Sequence, residues 1–254
     1  MSELSVSGLT LKFGGVTALD DVDLTAGDGA ITALVGPNGA GKSSLFNCIT
    51  GLYRPQAGRI HYGEHALIGL KPSRVARLGI ARTFQNIAFV PALSVVENVM
   101  LAAAVTDPVM PWRSALRWPS ERRGERAIRD RAMAQLERLG LGAVAQDDVD
   151  GLSFGTRKRI ELARALMADP TLLLVDEPAG GLNEAEVAEL GELLRTLNAE
   201  SGTTILLVEH HMGFVMSTAH RVVVLDGGRR IADGTPAEVS HDPAVIRAYL
   251  GTAA

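Results

Sequence analysis

Residues 36–43 read Gly36-Pro37-Asn38-Gly39-Ala40-Gly41-Lys42-Ser43, a complete Gly-x-x-x-x-Gly-Lys-Ser loop. Glycines at these places let a backbone curl round phosphate groups with its N–H bonds turned inward. A lysine at this spacing reaches the β and γ phosphates, and the hydroxyl after it can ligate Mg²⁺. The flanks fit. Ala30-Ile31-Thr32-Ala33-Leu34-Val35 reads as a buried strand. Residues 42–50 read as a helix with Leu45, Phe46 and Ile49 on one side and Gly51 as its stop. The positive end of that helix then faces the phosphates. The stretch predicts a nucleoside-triphosphate site on an α/β scaffold.

A chain of 254 residues, 46% hydrophobic and 21% charged, can bury a large core. Its net charge of −4 provides no general attraction to nucleic acid, so no nucleic-acid partner is expected. The one cysteine, Cys48, cannot form an intramolecular disulfide, which suits a reducing compartment, and it reads as a small buried structural residue. Met1-Ser2-Glu3-Leu4-Ser5 lacks the basic start and apolar stretch of a signal peptide. The apolar runs at 99–105, 172–175 and 205–208 are too short to cross a bilayer. A cytoplasmic chain is expected, with any membrane role supplied by a partner.

Short apolar runs alternate with amphipathic helical stretches, the pattern of an α/β protein. Three helix starts pair a capping residue with an acid three positions on: Ser94 with Glu97, Asn183 with Glu186, and Thr235 with Glu238. After Asn183, Val187, Leu190, Leu194 and Leu197 share one helical face. Between 113 and 131 lie seven arginines, with Trp112 and Trp118 beside or among them. That run reads either as a solvated helix face or as a surface for phospholipid head groups or an acidic partner. A helix over residues 126–139 should bury Ile128, Ala132, Leu136 and Leu139 and stop at Gly140. Residues 87–160 form a mostly helical insertion on this reading.

Leu172-Leu173-Leu174-Val175-Asp176-Glu177 is an apolar strand that delivers two acids at its carboxyl end, the edge where open α/β sheets bind ligands. Beside a phosphate loop, one acid can coordinate Mg²⁺ through water and its neighbour can orient or deprotonate the attacking water. Ile205-Leu206-Leu207-Val208-Glu209-His210-His211 ends another such strand. Adjacent His210 and His211 on this strand point to opposite faces, which argues against a shared metal site. His61, His65, His220 and His241 show no metal-ligand spacing.

The segment Leu152-Ser153-Phe154-Gly155-Thr156, with the helical run from Arg157 to Leu166, resembles the Leu-Ser-Gly-Gly-Gln signature of the ABC (ATP-binding cassette) ATPases. Phe154 stands for the first glycine and Thr156 for the glutamine; Ser153 and Gly155 are retained. Other elements of that family follow in order. Phe13 before Gly14-Gly15 resembles the aromatic that stacks on adenine. Gln85, in Arg82-Thr83-Phe84-Gln85-Asn86, matches the glutamine that senses Mg²⁺ and water. Gly180-Gly181-Leu182-Asn183 looks like the loop that crosses to a second monomer, with Asn183 for its usual aspartate. His210 resembles the switch histidine. The resemblance spans essentially the whole chain. The segments Phe13-Gly14-Gly15, Arg82-Thr83-Phe84-Gln85, Pro178-Ala179-Gly180-Gly181-Leu182-Asn183, Val208-Glu209-His210 and Val245-Ile246-Arg247-Ala248-Tyr249-Leu250-Gly251 look like the branched-chain amino acid importer group.

This resemblance implies a single ABC ATPase domain: an α/β P-loop NTPase core over 1–86 and 161–254, with a mixed sheet and an antiparallel β part, and a helical subdomain over 87–160. It implies ATP and Mg²⁺ as cofactors. Nucleotide contacts would come from Phe13, Gly36, Pro37, Asn38, Gly39, Ala40, Gly41, Lys42, Ser43, Ser44 and Gln85. Ser153, Phe154, Gly155 and Thr156 would act on the ATP held by a second subunit, packed head to tail. Ser43, Gln85 and Asp176 would set the metal, and Glu177, His210 and Lys42 would carry catalysis. Two transmembrane permease subunits are the implied partners at the cytoplasmic face of the cell membrane, with an extracytoplasmic solute-binding protein acting indirectly. Within the family, a lipopolysaccharide-type exporter ATPase or a soluble non-transport ATPase are the rival readings. A nucleotide kinase is the rival outside it, and would lack the signature helix and the switch histidine.

Overall fold

Leucine and β-branched runs make one part of the chain a sheet structure. A computed structural model describes residues 2–83, 89–103 and 119–250, with residues 119–123 and 250 described by backbone alone. Two compact units result: one from the residues up to Arg82 and from Thr171 on, the other Thr83–Pro170. In the first, strands β3 (Ile31–Val35), β7 (Leu172–Asp176) and β8 (Thr204–Val208) are buried at every position. That is how parallel strands covered on both faces behave. With β6 (Ile80–Arg82), β9 (Arg221–Asp226) and β10 (Arg229–Gly234) they form a sheet of order β10-β9-β3-β8-β7-β6. Only β10 runs antiparallel to its neighbour.

A second, antiparallel sheet has the order β2-β1-β4-β5, from β1 (Leu4–Phe13), β2 (Val16–Ala26), β4 (Ala57–Tyr62) and β5 (His65–Ala66). One apolar core joins both sheets to helix α1 (Lys42–Ile49): Leu9, Val22 and Ile60 pack in one cluster with Leu45, Phe46, Ile49, Leu174 and Leu206. The Tyr62 hydroxyl, 2.7 Å from the Thr171 hydroxyl, ties the start of β7 to the antiparallel sheet. Cys48 is buried in that core, and burial pushes its thiol up to about 11, so it stays protonated and inert at neutral pH.

Helix ends follow the capping chemistry. All three boxes form: Ser94 opens α3 (Val95–Met100), Asn183 opens α6 (Glu184–Ser201) and Thr235 opens α8 (Pro236–Ser240). The stripe Val187, Leu190, Leu194 and Leu197 is buried, and α6 stops at Gly202 in the left-handed region. Helices α2 (Pro72–Ala76), α7 (Met212–Thr218) and α9 (Pro243–Leu250) complete this unit.

The second unit packs α3 against α4 (Pro119–Arg138) and α5 (Phe154–Leu166). Ala132, Leu136 and Leu139 are buried as their spacing predicts, Ile128 only partly, and Gly140 ends the run at φ 71. The unit runs to Pro170 and includes the whole of α5, one helix whose Ile160, Ala163 and Leu166 are all buried. Of the basic run, residues 113–118 lie outside the described residues; Arg129 donates to Gln146, and Arg131 to the Met167 carbonyl and Asp169.

Asn98 holds the entry to α3. Its Nδ2 donates to the carbonyls of Val90 (3.2 Å), Leu93 (2.9 Å) and Ser94 (3.1 Å), and its Oδ1 accepts from Val90 N–H (2.8 Å). The side chain is buried and its backbone partners are partly shielded, so truncation removes several bonds that hold this turn. Asn98→Ala is expected to cost about 1–3 kcal/mol, read as a lower thermal midpoint and faster amide exchange over residues 90–100. Unchanged exchange there would contradict the assignment.

Candidate active site at the carboxyl edge of the parallel sheet

Parallel strands present their carboxyl ends on one edge, and the loops after β3, β7 and β8 all leave from it. Leu34 stands in register with Val208, and Val208 with Asp176. The phosphate loop follows β3. Its first glycine is required by close approach: a Cβ on Gly36 would lie 2.1 Å from the Leu225 carbonyl oxygen, at φ 152. Gly41, at φ 101, would meet the Ala18 oxygen at 2.6 Å. No larger residue fits either place.

Helix α1 opens on Gly41 with no side-chain cap and no acid in its first turn. Helices α3, α5, α6, α7 and α8 all start with a side chain accepting from their first-turn N–H groups. The uncapped N–H groups of α1 and its dipole are therefore available to an anion. Lys42 is buried, its ammonium donating to the carbonyls of Gly36 (2.6 Å) and Pro37 (3.0 Å). Burial pushes its pKa below the ordinary lysine value, opposed by the carboxylates of Glu177, Asp176 and Glu209. Ser43 is exposed at the helix start and Ser44 half-buried beside it.

Asp176 closes β7, and Arg82 closes its neighbour β6. The Arg82 guanidinium donates to Asp176 Oδ2 at 2.7 Å and to Asn47 Oδ1 at 2.7 Å, and lies over the Phe46 ring at 5.3 Å. With side-chain exposures of 11% and 5%, this is a buried ion pair, so loss of either partner would strand a charge. Glu177, next in the chain, has φ 45, a left-handed conformation rare for a side-chain-bearing residue. Its N–H donates to the Val208 carbonyl at 2.9 Å, locking it to β8.

The histidine pair does not sit on a strand. β8 ends at Val208, so the alternation expected of His210 and His211 does not apply. His210 is 57% exposed, whereas the His211 Nδ1 accepts from Phe214 N–H at 3.1 Å and caps α7. Between strand and pair lies Glu209, fully buried, its carboxylate taken up by the N–H groups of Ala179, His210 and His211.

Phe13, 47% exposed at the end of β1, meets Tyr53 edge to face, ring centroids 5.1 Å apart. Gln85 lies outside the described residues. In the helical unit, the Ser153 hydroxyl accepts from Thr156 N–H and lies 2.9 Å from the Thr156 hydroxyl. Gly155 is buried, and Phe154 is exposed under the Lys158 ammonium, 5.5 Å from its ring centroid. Sequence reasoning assigned no part to Arg82, Asn47, Glu209 or Tyr53. Tyr249 from α9, whose phenol lies against the Gly36 backbone and is pushed up by burial, falls within a family segment but was likewise given no role. Their only local signal is polarity or an aromatic ring at a strand end or helix, too common to single them out.

The donor chemistry fits a magnesium nucleotide. Ser43 and Asp176 offer hard oxygens, and among the described residues no cluster of His, Cys, Asp or Glu forms a dedicated metal cage. A cation here would complete its shell from substrate phosphates and water, the habit of Mg²⁺.

Comparison with known proteins agrees with this edge. Residues 19–180 match the ABC transporter family model, and residues 229–254 match a model described as branched-chain amino acid ATP-binding cassette transporter. The high-affinity branched-chain amino acid transport ATP-binding protein LivG of Salmonella typhimurium is 42% identical, over 98% of both chains. BraF of Pseudomonas aeruginosa, named for the same transport, is 39% identical over 98% of both. Among solved structures, a nucleotide-free ATP-binding cassette from an ABC transporter aligns with TM-score 0.85 and 30% identity, covering 98% of this chain and 99% of that one. A dimeric post-hydrolysis cassette bound to ADP and Pi aligns with TM-score 0.76 and 25% identity, covering 92% and 98%. On this phosphate loop, these strand-end acids and these matches, the chain belongs to the ABC transporter family and is one of its ATP-binding, ATP-hydrolysing cassettes.

Proposed function

We propose that this cassette powers uptake of branched-chain amino acids, or similar small polar solutes, from the cytoplasmic face of the cell membrane. One observation carries the substrate class. The likeness to branched-chain transport proteins runs over 98% of the chain, and the branched-chain model matches its last stretch, residues 229–254, outside the general family match. That pattern disfavours a lipopolysaccharide-type exporter and a soluble non-transport ATPase. No helix among the described residues is long and apolar enough to cross a membrane. Contact with the membrane would run through two permease subunits, and a solute-binding protein outside would act only through them.

Phosphoryl transfer to water needs position and charge neutralisation more than covalent help. In the proposed mechanism Phe13 stacks on adenine, and the N–H groups of residues 36–44 cradle the phosphates. The Lys42 ammonium exchanges the Gly36 and Pro37 carbonyls for the β and γ oxygens. Ser43, Asp176 and Gln85 would hold Mg²⁺, which when bound neutralises charge on those oxygens. Glu177 accepts the proton of the attacking water, and His210 holds the γ-phosphate against it. The signature residues Ser153, Phe154, Gly155 and Thr156 of a second copy, or of a related cassette, complete the centre head to tail. A dimeric relative holding ADP and Pi supports that arrangement.

Two outcomes test this reading. Glu177→Gln is expected to keep ATP affinity while turnover falls on the order of 10²- to 10⁴-fold, with an ATP-dependent dimer appearing on gel filtration; parental turnover would refute the base assignment. Expressed together with the permeases and binding protein of a branched-chain amino acid importer from the same genome, the chain is expected to co-purify with two permeases and to hydrolyse ATP faster when branched-chain amino acid and binding protein are present. An ATPase never recovered with a permease would remove the transport role.

A further inference from the structure

Glu209 is the one charged side chain among the described residues with no exposed surface at all. It follows β8 directly, its own N–H donating to the Leu34 carbonyl at 3.3 Å, so the backbone is anchored to the strand before the phosphate loop. Its two oxygens face two different loops. Oε1 accepts from Ala179 N–H at 2.7 Å, two residues beyond Glu177. Oε2 accepts from His210 N–H at 2.9 Å and His211 N–H at 3.1 Å. A carboxylate is acceptor-only at both oxygens, and bonds to an ionised acceptor are about twice as strong as neutral ones. Full burial also removes it from any attacking water, so it cannot itself serve as a base.

We propose that Glu209 is a positioning residue of the hydrolytic centre: its carboxylate ties the loop after Glu177 to the loop carrying His210, setting those two side chains relative to one another. The proposal rests on the roles given to Glu177 and His210 above. The Glu177 N–H bond to the Val208 carbonyl at 2.9 Å joins the two loops at their bases, and the Glu209 carboxylate joins them further out. Glu177 sits in a left-handed conformation whose following turn is closed by a long 3.4 Å bond from Gly180 N–H to the Glu177 carbonyl. The His210 ring is mostly exposed, its Nδ1 3.9 Å from Glu209 Oε2. Three N–H groups converging on one buried carboxylate fix both backbones at once. Glutamine of the same shape would turn an NH₂ donor onto N–H groups, and aspartate is one methylene too short to span both loops.

A structural role alone would lower stability without separating binding from chemistry, so the test reads that separation. In the full-length chain, Glu209→Gln is expected to lower kcat about 10- to 100-fold, with affinity for a fluorescent ATP analogue changed less than about threefold. Amide exchange should rise at Ala179, His210 and His211 while the β7 and β8 amides stay protected. Glu209→Asp, which keeps the charge and folds if the glutamine variant does not, is expected to show the same split at smaller size. Unchanged kcat in both variants, or kcat and ATP affinity falling together with the thermal midpoint, would overturn the proposal. Glu177→Gln run in parallel separates the two claims. If it abolishes turnover while the Glu209 variants behave as parental, only the positioning role fails. If it leaves turnover intact, the catalytic reading beneath it fails as well.

Discussion

Parallel pairing of β3, β8 and β7 is the constraint on which the rest of this cassette depends. Parallel strands must be fully covered, which explains why fifteen consecutive strand positions in three runs are apolar or, at Thr32, Thr204 and Asp176, buried polar. The same pairing forces every strand to deliver its following loop to one edge. A phosphate loop, an acid pair and a histidine pair far apart in sequence become neighbours without any long-range side-chain contact being needed. The chemistry is thus a consequence of strand direction before it is a consequence of residue choice.

Delivering charge to one edge creates an electrostatic problem. Asp176, Glu177 and Glu209 meet Lys42 and Arg82 in surroundings with little water. Each acid is answered differently. Asp176 has the Arg82 guanidinium, itself seated on Phe46 and Asn47. Glu209 has three backbone N–H groups. Glu177 contributes to keeping the half-desolvated Lys42 ammonium charged, as do the other two. Two of the three are answered in place, Asp176 by a counter-ion and Glu209 by fixed backbone dipoles, which do not compete for a mobile metal or phosphate.

Much of this was legible in the sequence, for reasons that differ by element. The phosphate loop is legible because close approach leaves glycine no substitute at 36 and 41, and the capping boxes because cap and acid are only three residues apart. The α6 stripe is legible because burial repeats with the helical turn. Arg82 and Glu209 were not, since their partners lie 94 and 30 residues away and only strand order brings them together. The histidine pair was misread because a strand's apolar run says nothing of where its hydrogen bonding stops: β8 ends at Val208, and the buried Glu209 already belongs to the turn.

Glu177 shows what the sheet edge is holding. A non-glycine residue at φ 45 costs on the order of 1–3 kcal/mol and persists only where its surroundings over-determine it. Here the restraints lie on both sides: the Glu177 N–H is bound to the Val208 carbonyl before the turn, and Ala179 N–H to the Glu209 carboxylate after it. Both come from the β8 end. The strain at the proposed base is therefore balanced from the end of β8, the same strand end that leads into the proposed γ-phosphate contact, His210. Any movement of one loop must be felt by the other, because the three N–H bonds to Glu209 cannot all be kept if the two loops separate.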